Sequence, residues 1–244
     1  MPQELNNEKQ LLLKQCLHNY KGLFRPGIGE LPGPPMDIEF KDPSNVKPFY
    51  RRPYKIPYAI HDRVKAELDL LVELGVLIHN ANSPWGSPTF AEIKKDKVGI
   101  RVLTDLRVVN TMIVRKPYPM PNVQEIFQSI DGFDYASTLD MSKGFYHIKI
   151  TKKASEVFTT ALPWGKYSFV RAPMGFAGSP DFFQSKMDEL LGDLPFCYCF
   201  IDDVAIVTKG SFQDHVNHIA AVFDRLEMGN IRLNLKKCYF AKYE

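Results

Sequence analysis

Apolar residues recur at helical spacing in two places near the start of the chain. Leu11, Leu12, Leu13 and Leu17 predict a short amphipathic helix within residues 1–20. Val64, Leu68, Leu71, Val72 and Val76 predict a second one running from His61, with Gly75 near its C-terminal cap. Alternating positions then predict strands over Thr89–Ile93 and Ile100–Asp105, joined by the turn Lys-Lys-Asp-Lys-Val-Gly into a cationic β-hairpin. Asn122 followed by Glu125 has capping-box spacing and opens a helix with Val123, Ile126, Phe127 and Ile130 on one face, closed by Gly132.

Farther along, strands are expected at Ala136–Met141, Tyr146–Ile150, Val157–Ala161 and Tyr167–Arg171, before a helix from Ser179 to about Leu191. Phe196–Ile201 and Val204–Thr208 are β-rich runs separated only by Asp202 and Asp203, which reads as a hairpin with acids at its bend. Ser211 with Asp214 caps a last helix carrying Val216, Ile219, Val222, Phe223 and Leu226, which Gly229 closes. Helices and strands alternate irregularly and no internal repeat is visible, so the expected class is α+β, an antiparallel sheet backed by helices. Lys21 to Pro57 is different. From Phe24 through Pro34-Pro35 each proline removes a donor and restricts the residue before it, so this stretch is extended, as a linker or a wrapping arm.

At 244 residues with 45% hydrophobic content, the chain can bury one large core or two smaller ones. Its net charge of +3 is too mild to declare a nucleic-acid partner, so the distribution matters more. Lys94, Lys95, Lys97, Arg101, Arg107, Arg115 and Lys116 outnumber Glu92, Asp96 and Asp105 in one stretch. In another, Lys186 alone stands against Asp181, Asp188, Glu189, Asp193, Asp202 and Asp203, in surroundings that are otherwise apolar. A basic arm and an acidic pocket need different partners.

Cys16, Cys197, Cys199 and Cys238 lack the spacing of a disulfide framework, the N-terminus lacks the apolar core of a signal peptide, and no apolar run reaches about 18 residues. A soluble protein of a reducing, intracellular and cytoplasmic setting is expected. His215 and His218 with the cysteines do not have the paired spacing of a zinc site. Solvated helix histidines and buried thiols are the default there.

Two adjacent carboxylates at the tip of an apolar hairpin repel each other, and a divalent cation would compensate, since hard cations take one or two carboxylates plus substrate phosphates. A solvated turn is the plainer account, because Asp is common in turns. Asp140 shifts the balance, ending the β-like run Ser137-Thr138-Leu139-Asp140-Met141 as a carboxylate would if it projected toward a neighbouring hairpin. Three carboxylates on adjacent strands can hold two metals about 3.5–4 Å apart, the arrangement used in phosphoryl transfer.

The blocks Leu139-Asp140-Met141-Ser142-Lys143-Gly144-Phe145 and Phe200-Ile201-Asp202-Asp203 resemble the first and second catalytic motifs of reverse transcriptases, most nearly the gypsy-type long-terminal-repeat retrotransposon branch. The resemblance extends in family order through Arg52 to Pro57, Ser83 to Pro88, Arg101 to Asn110, Pro173-Met174-Gly175-Phe176, Phe183-Gln184 and Leu233 to Phe240. It departs where Phe200 replaces the usual Tyr and Met174 the usual Phe; neither change removes a metal ligand.

What the resemblance implies is a right-hand polymerase palm with fingers, its thumb absent. Residues 1–57 would be an N-terminal helix and arm, 58–135 mainly fingers and 136–244 mainly palm. The implied function is RNA-directed DNA synthesis from deoxynucleoside triphosphates on an RNA or DNA template-primer. Asp140, Asp202 and Asp203 would hold two Mg²⁺ ions, with Mn²⁺ as a substitute. Lys94 and Arg101 would grip the triphosphate, or else belong to a solvated basic face; Asp105 and Arg107 read as a structural pair. Phe145 would gate the sugar sterically, or merely pack the core. Met174 and Gly175 would form the loop under base and template. Lys237 would protonate departing pyrophosphate, or be a surface lysine. Thumb, connection and RNase H regions would lie in a longer polyprotein, inside a virus-like particle if the element is intact. The rival reading is a non-catalytic nucleic-acid-binding remnant or subunit.

Overall fold

The computed structural model describes residues 5–94, 99–130 and 132–242. In chain order its helices and strands are α1 (Asn7–Asn19), α2 (His61–Glu73), β1 (Leu77–His79), β2 (Ser87–Ile93), β3 (Ile100–Thr104), α3 (Arg107–Met112), α4 (Val123–Ser129) and β4 (Tyr135–Asp140), followed by α5 (Lys152–Val157), β5 (Thr159–Leu162), β6 (Gly165–Phe169), α6 (Ser179–Leu191), β7 (Cys197–Phe200), β8 (Asp203–Thr208), α7 (Phe212–Met228) and β9 (Tyr239–Lys242). These form two compact units that alternate along the chain, one taking residues 1–32, 118–144 and 181–244, the other 33–117 and 145–180.

The first unit is built on an antiparallel sheet in the order β7-β8-β4-β9. Its main helix, α7, starts where the sequence places it, because Ser211 and Asp214 form a reciprocal capping box. The apolar face of α7 buries Val216, Ile219, Val222, Phe223 and Leu226. Tyr20 and Phe24, at and beyond the end of α1, meet the Phe223 ring edge-on, and the Tyr20 hydroxyl donates to Asp224 at 2.7 Å. Phe223 is fully buried, so truncating it to Ala would cost roughly 3–5 kcal/mol.

The second unit is built on a mixed sheet in the order β1-β6-β5-β2-β3. Its one parallel pairing, β2 with β5, brings Ser87 opposite Thr160. The expected cationic hairpin is the β2–β3 pair, with Glu92 opposite Arg101; its turn, residues 95–98 including Lys95 and Lys97, lies outside the described residues. Helix α2 presents Val64, Leu68 and Leu71 to the core. The proline-rich stretch is a bound arm rather than a free linker. Met36 N–H donates to Lys149 O at 2.8 Å, Lys41 N–H to Met112 O at 2.9 Å and Gly86 N–H to Phe49 O at 2.8 Å, so backbone groups that could not enter a helix are satisfied along its length.

Two expectations shift. The strand expected at Tyr146–Ile150 is a 3-10 turn, Gly144–His147, followed by isolated bridges from Lys149 to Arg171 and from Ile150 to Met36. The strand expected from Val157 begins at Thr159, because the Thr151 side chain accepts from Ala154 N–H and caps the short helix α5 ahead of it. Among the described residues no helix is long and apolar enough to cross a membrane.

Candidate functional site

The acids expected to carry chemistry lie in the first unit. Asp140 ends β4 and stands directly opposite Asp203, the first residue of β8, in the antiparallel register. Strands β7 and β8 are joined by a two-residue bend, Ile201-Asp202, with Phe200 paired to Asp203. Two-residue hairpins need left-handed backbone, usually supplied by Gly or Asn. Here Ile201 adopts it, at φ 55°. Asp202 is held by its neighbours, for its carbonyl accepts from Met141 N–H at 3.1 Å and a Cβ on Gly144 would lie 3.1 Å from its own Cβ. A larger residue at Gly144 would push directly on the acidic bend.

Desolvation by the surrounding strands, together with the negative charges of Asp203 and Asp140, raises the Asp202 carboxyl above the usual carboxylate range. Lys237, in the 3-10 turn Leu235–Lys237, donates to Asp140 Oδ2 at 3.0 Å and answers part of that charge. Among the described residues no three His, Cys, Asp or Glu side chains stand together as a cluster able to hold a metal by themselves. The donors nevertheless suit a hard cation in kind, because Mg²⁺ takes only one or two carboxylates and completes its shell with water and phosphate.

A cavity of about 550 Å³ adjoins these acids, lined by Asp140, Asp203, Lys237, Phe200 and Tyr198 and by the apolar face of α4. That face carries the apolar residues whose spacing predicts the helix. Phe127 is 70% exposed and Val123 40%, and both line the cavity.

The remaining expected site residues lie in the second unit. Lys94 and Arg101 are exposed, and Arg101 faces Glu92 across the hairpin at 3.8 Å. Arg107 grips Asp105 through two bonds of 2.9 and 2.7 Å, while the Tyr54 hydroxyl donates to the same carboxylate at 2.8 Å; these partners hold the Asp105 carboxyl far below its usual range. This is the expected structural pair. A second cavity, of about 610 Å³, is lined by Tyr54, Phe90, Thr104, Asp105, Leu106, Arg107 and Gly175. Gly175 has φ 93°, and a Cβ there would meet Thr104 O at 3.1 Å, so no side chain fits. Asn110 brackets this loop, donating to Gly175 O at 2.9 Å and accepting from Ala177 N–H at 3.1 Å. Met174 beside it is half-buried, as is Phe145 in its 3-10 turn, which therefore does not belong to the fully buried core.

Three residues of consequence carry no assigned role in the sequence reading: Gln184, Asn110 and His215. Gln184 and His215 are fully buried. Each had a readable signal, a polar residue on the apolar face of a predicted helix, Gln184 with Met187 and Leu191, His215 with Ile219 and Val222. His215 is not solvated as expected; Ser137 and Thr208 each sit 2.7 Å from its ring nitrogens. Cys197, Cys199 and Cys238 are half-buried rather than buried, and only Cys16 is buried.

Comparison with known proteins places this geometry. The Pol polyprotein of transposon 297 from Drosophila melanogaster is 30% identical over 98% of the chain, and that of transposon gypsy 31% identical over 80%. The chain spans only 23% and 19% of those relatives. Foamy virus protease-reverse transcriptase in complex with double-stranded DNA superposes with a TM-score of 0.89 at 26% identity, covering 99% of this chain and 42% of that one. The same enzyme in complex with an RNA/DNA hybrid also scores 0.89. The profile of the family described as reverse transcriptase (RNA-dependent DNA polymerase) matches residues 93–244, and with the retrotransposon relatives it establishes that this chain belongs to the reverse transcriptase family.

Proposed function

We propose that this chain carries the catalytic part of an RNA-directed DNA polymerase, in which a primer 3′-hydroxyl attacks the α-phosphate of a deoxynucleoside triphosphate and pyrophosphate leaves. The observation that carries this reading is the facing pair Asp140 and Asp203, with Asp202 at the adjoining bend, in a chain of this family. Two Mg²⁺ ions, or Mn²⁺, bound by these carboxylates would stabilise the attacking and leaving oxygens. Lys237 is poised to give a proton to the departing pyrophosphate, a role that can contribute roughly 10²–10⁴-fold. Its bond to Asp140 keeps the ammonium beside the acids.

Lys94 and Arg101 neutralise triphosphate oxygens. For Arg101 this requires leaving Glu92, and an exposed pair at 3.8 Å gives up less than about 1 kcal/mol. Met174 and Gly175 support base and template, with the Gly175 backbone free to approach closely because no Cβ intervenes. Template-primer duplexes are the proposed partners, in keeping with the DNA and RNA/DNA hybrid complexes of the foamy virus enzyme. Thumb, connection and RNase H regions are proposed to lie elsewhere in a longer polyprotein, acting in the cytoplasm within a virus-like particle.

Primer extension by the protein expressed from its gene, with RNA and DNA templates and Mg²⁺, tests the reading. Template-directed extension with deoxynucleotides is expected. Tight template binding without any extension would instead favour a non-catalytic nucleic-acid-binding subunit. A finer test concerns Phe145, proposed to exclude a 2′-hydroxyl. Phe145→Val should raise ribonucleotide relative to deoxyribonucleotide incorporation by about tenfold, which is about 1.4 kcal/mol of discrimination. If Phe145 only packs, both substrates should fall together, and an unchanged ratio in a folded variant removes the gate.

A further inference from the structure

The bend between Asp202 and its neighbours has an unusual support. Ile201 is β-branched, and such a residue at φ 55° is a genuine outlier that persists only where its surroundings hold it. The sequence supplies no glycine or asparagine there. What stands against the strain is one side chain from α6. Gln184, fully buried, accepts from Ile201 N–H at 2.7 Å through Oε1 and donates to Cys199 O at 3.2 Å and Asp188 Oδ1 at 2.9 Å through Nε2. A carboxamide that takes the N–H of one residue and the carbonyl two before it copies the hydrogen-bonding edge of a neighbouring strand.

We infer that Gln184 is a positioning residue for the acidic bend, holding Ile201 left-handed and thereby fixing where Asp202 stands beside Asp203 and Asp140; the inference rests on the polymerase reading above. Three features favour this over a plain core role. A buried amide needs all its partners satisfied, and two of those partners are backbone groups flanking the bend. Phe183 and Met187 already fill the same part of α6 with apolar bulk, so packing alone does not call for an amide. The position Gln184 fixes is the only one in the hairpin whose backbone a β-branched side chain resists.

The decisive experiment separates the bracket from general stability. Gln184→Met keeps length and bulk but removes both backbone bonds. It should lower kcat by about tenfold to a hundredfold, the range found when outer partners of a metal site are removed. Template-primer Kd should stay within about twofold. Glycine adopts left-handed backbone without help, so Ile201→Gly should largely restore kcat to the Gln184→Met variant, bringing the double variant close to Ile201→Gly alone. Lost packing would give no such rescue. Equal losses from Gln184→Met with and without Ile201→Gly, or a folded Gln184→Met enzyme with unchanged kcat, would overturn the inference.

Should Gln184→Met not fold, Gln184→Leu serves, since it also removes both backbone bonds while keeping apolar bulk on α6. It should show the same kcat loss and the same rescue, and their absence counts against the bracket. Amide hydrogen exchange supplies an arm that needs no turnover. Ile201 N–H should exchange about tenfold faster in Gln184→Met, while Val207 N–H, bonded to Phe196 O at 2.9 Å, stays protected. Unchanged Ile201 exchange would sink the bracket whatever the activity. Faster exchange in a protein whose unaltered form makes no DNA would retain the bracket and overturn both the polymerase reading and the positioning role.

Discussion

Asp202→Asn is expected to cut DNA synthesis by more than about a hundredfold while leaving template-primer affinity nearly unchanged. Asn has the shape of Asp without its charge. The bend should therefore survive, since Ile201 N–H and the Asp202 carbonyl keep their partners in Gln184 and Met141. What changes is the donor, for a neutral carboxamide is a poor ligand for a hard divalent cation. Even outer-shell partners of metal sites are worth about 10–100-fold, so a ligand should be worth more. The like charges of Asp203 and Asp140, which raise the Asp202 carboxyl, also mean that Asp202→Asn relieves repulsion. The variant should consequently be as stable as the parent or slightly more so. Loss of synthesis with stability retained is the signature of a functional acid, whereas near-normal synthesis would show that the chemistry lies elsewhere.

The parts of the fold that were legible follow from local chemistry. Helix α7 starts where Ser211 and Asp214 say it should, because a capping box satisfies its own orphan donors without help from distant residues. The β7–β8 hairpin was readable from two apolar runs flanking adjacent acids, and the register then brings Asp203 opposite Asp140. Where tertiary partners decide, the reading thinned. Tyr146–Ile150 has the composition of a strand, but only Lys149 and Ile150 form bridges to other segments, and these are isolated. The apolar stripe of α4 has helical spacing, yet it lines a cavity instead of a core, a distinction spacing cannot make. The alternation of two compact units along the chain was equally hidden, since it depends on which distant strands pair. Gln184 and His215 are polar residues on apolar helix faces, but their partners, Cys199 and Ile201 for one and Ser137 and Thr208 for the other, lie on other elements that spacing does not reveal.

His215 gives the largest effect of pH expected on stability, and its direction is fixed by its partners. The ring is fully buried between Ser137, 2.7 Å from Nε2, and Thr208, 2.7 Å from Nδ1; Ala241 N–H in turn donates to the Ser137 hydroxyl at 2.9 Å. Thr208 also lies 2.8 Å from Nδ1 of His218, whose ring stacks on Phe196. This network ties β4, β8, β9 and α7 together through a neutral imidazole. Burial, and then the neighbouring His218, lower the His215 pKa to about 4 from the 6.5 of an unfolded chain. The unfolded state therefore binds the extra proton first. Stability should be flat above about pH 6.5, fall as pH drops from 6.5 toward 4, and lose about 3 kcal/mol across that window from this one group. Denaturant midpoints measured from pH 7.5 to 4.5 on the parent and on His215→Gln isolate the effect from titrating carboxylates, because both proteins share those. His215→Gln should be less stable at pH 7.5, by roughly 1–3 kcal/mol for a buried group left without its partner, and should lose less as the pH falls. Parallel curves for the two proteins would mean that His215 takes up its proton over the same pH range folded and unfolded, and the neutral network would have to be abandoned.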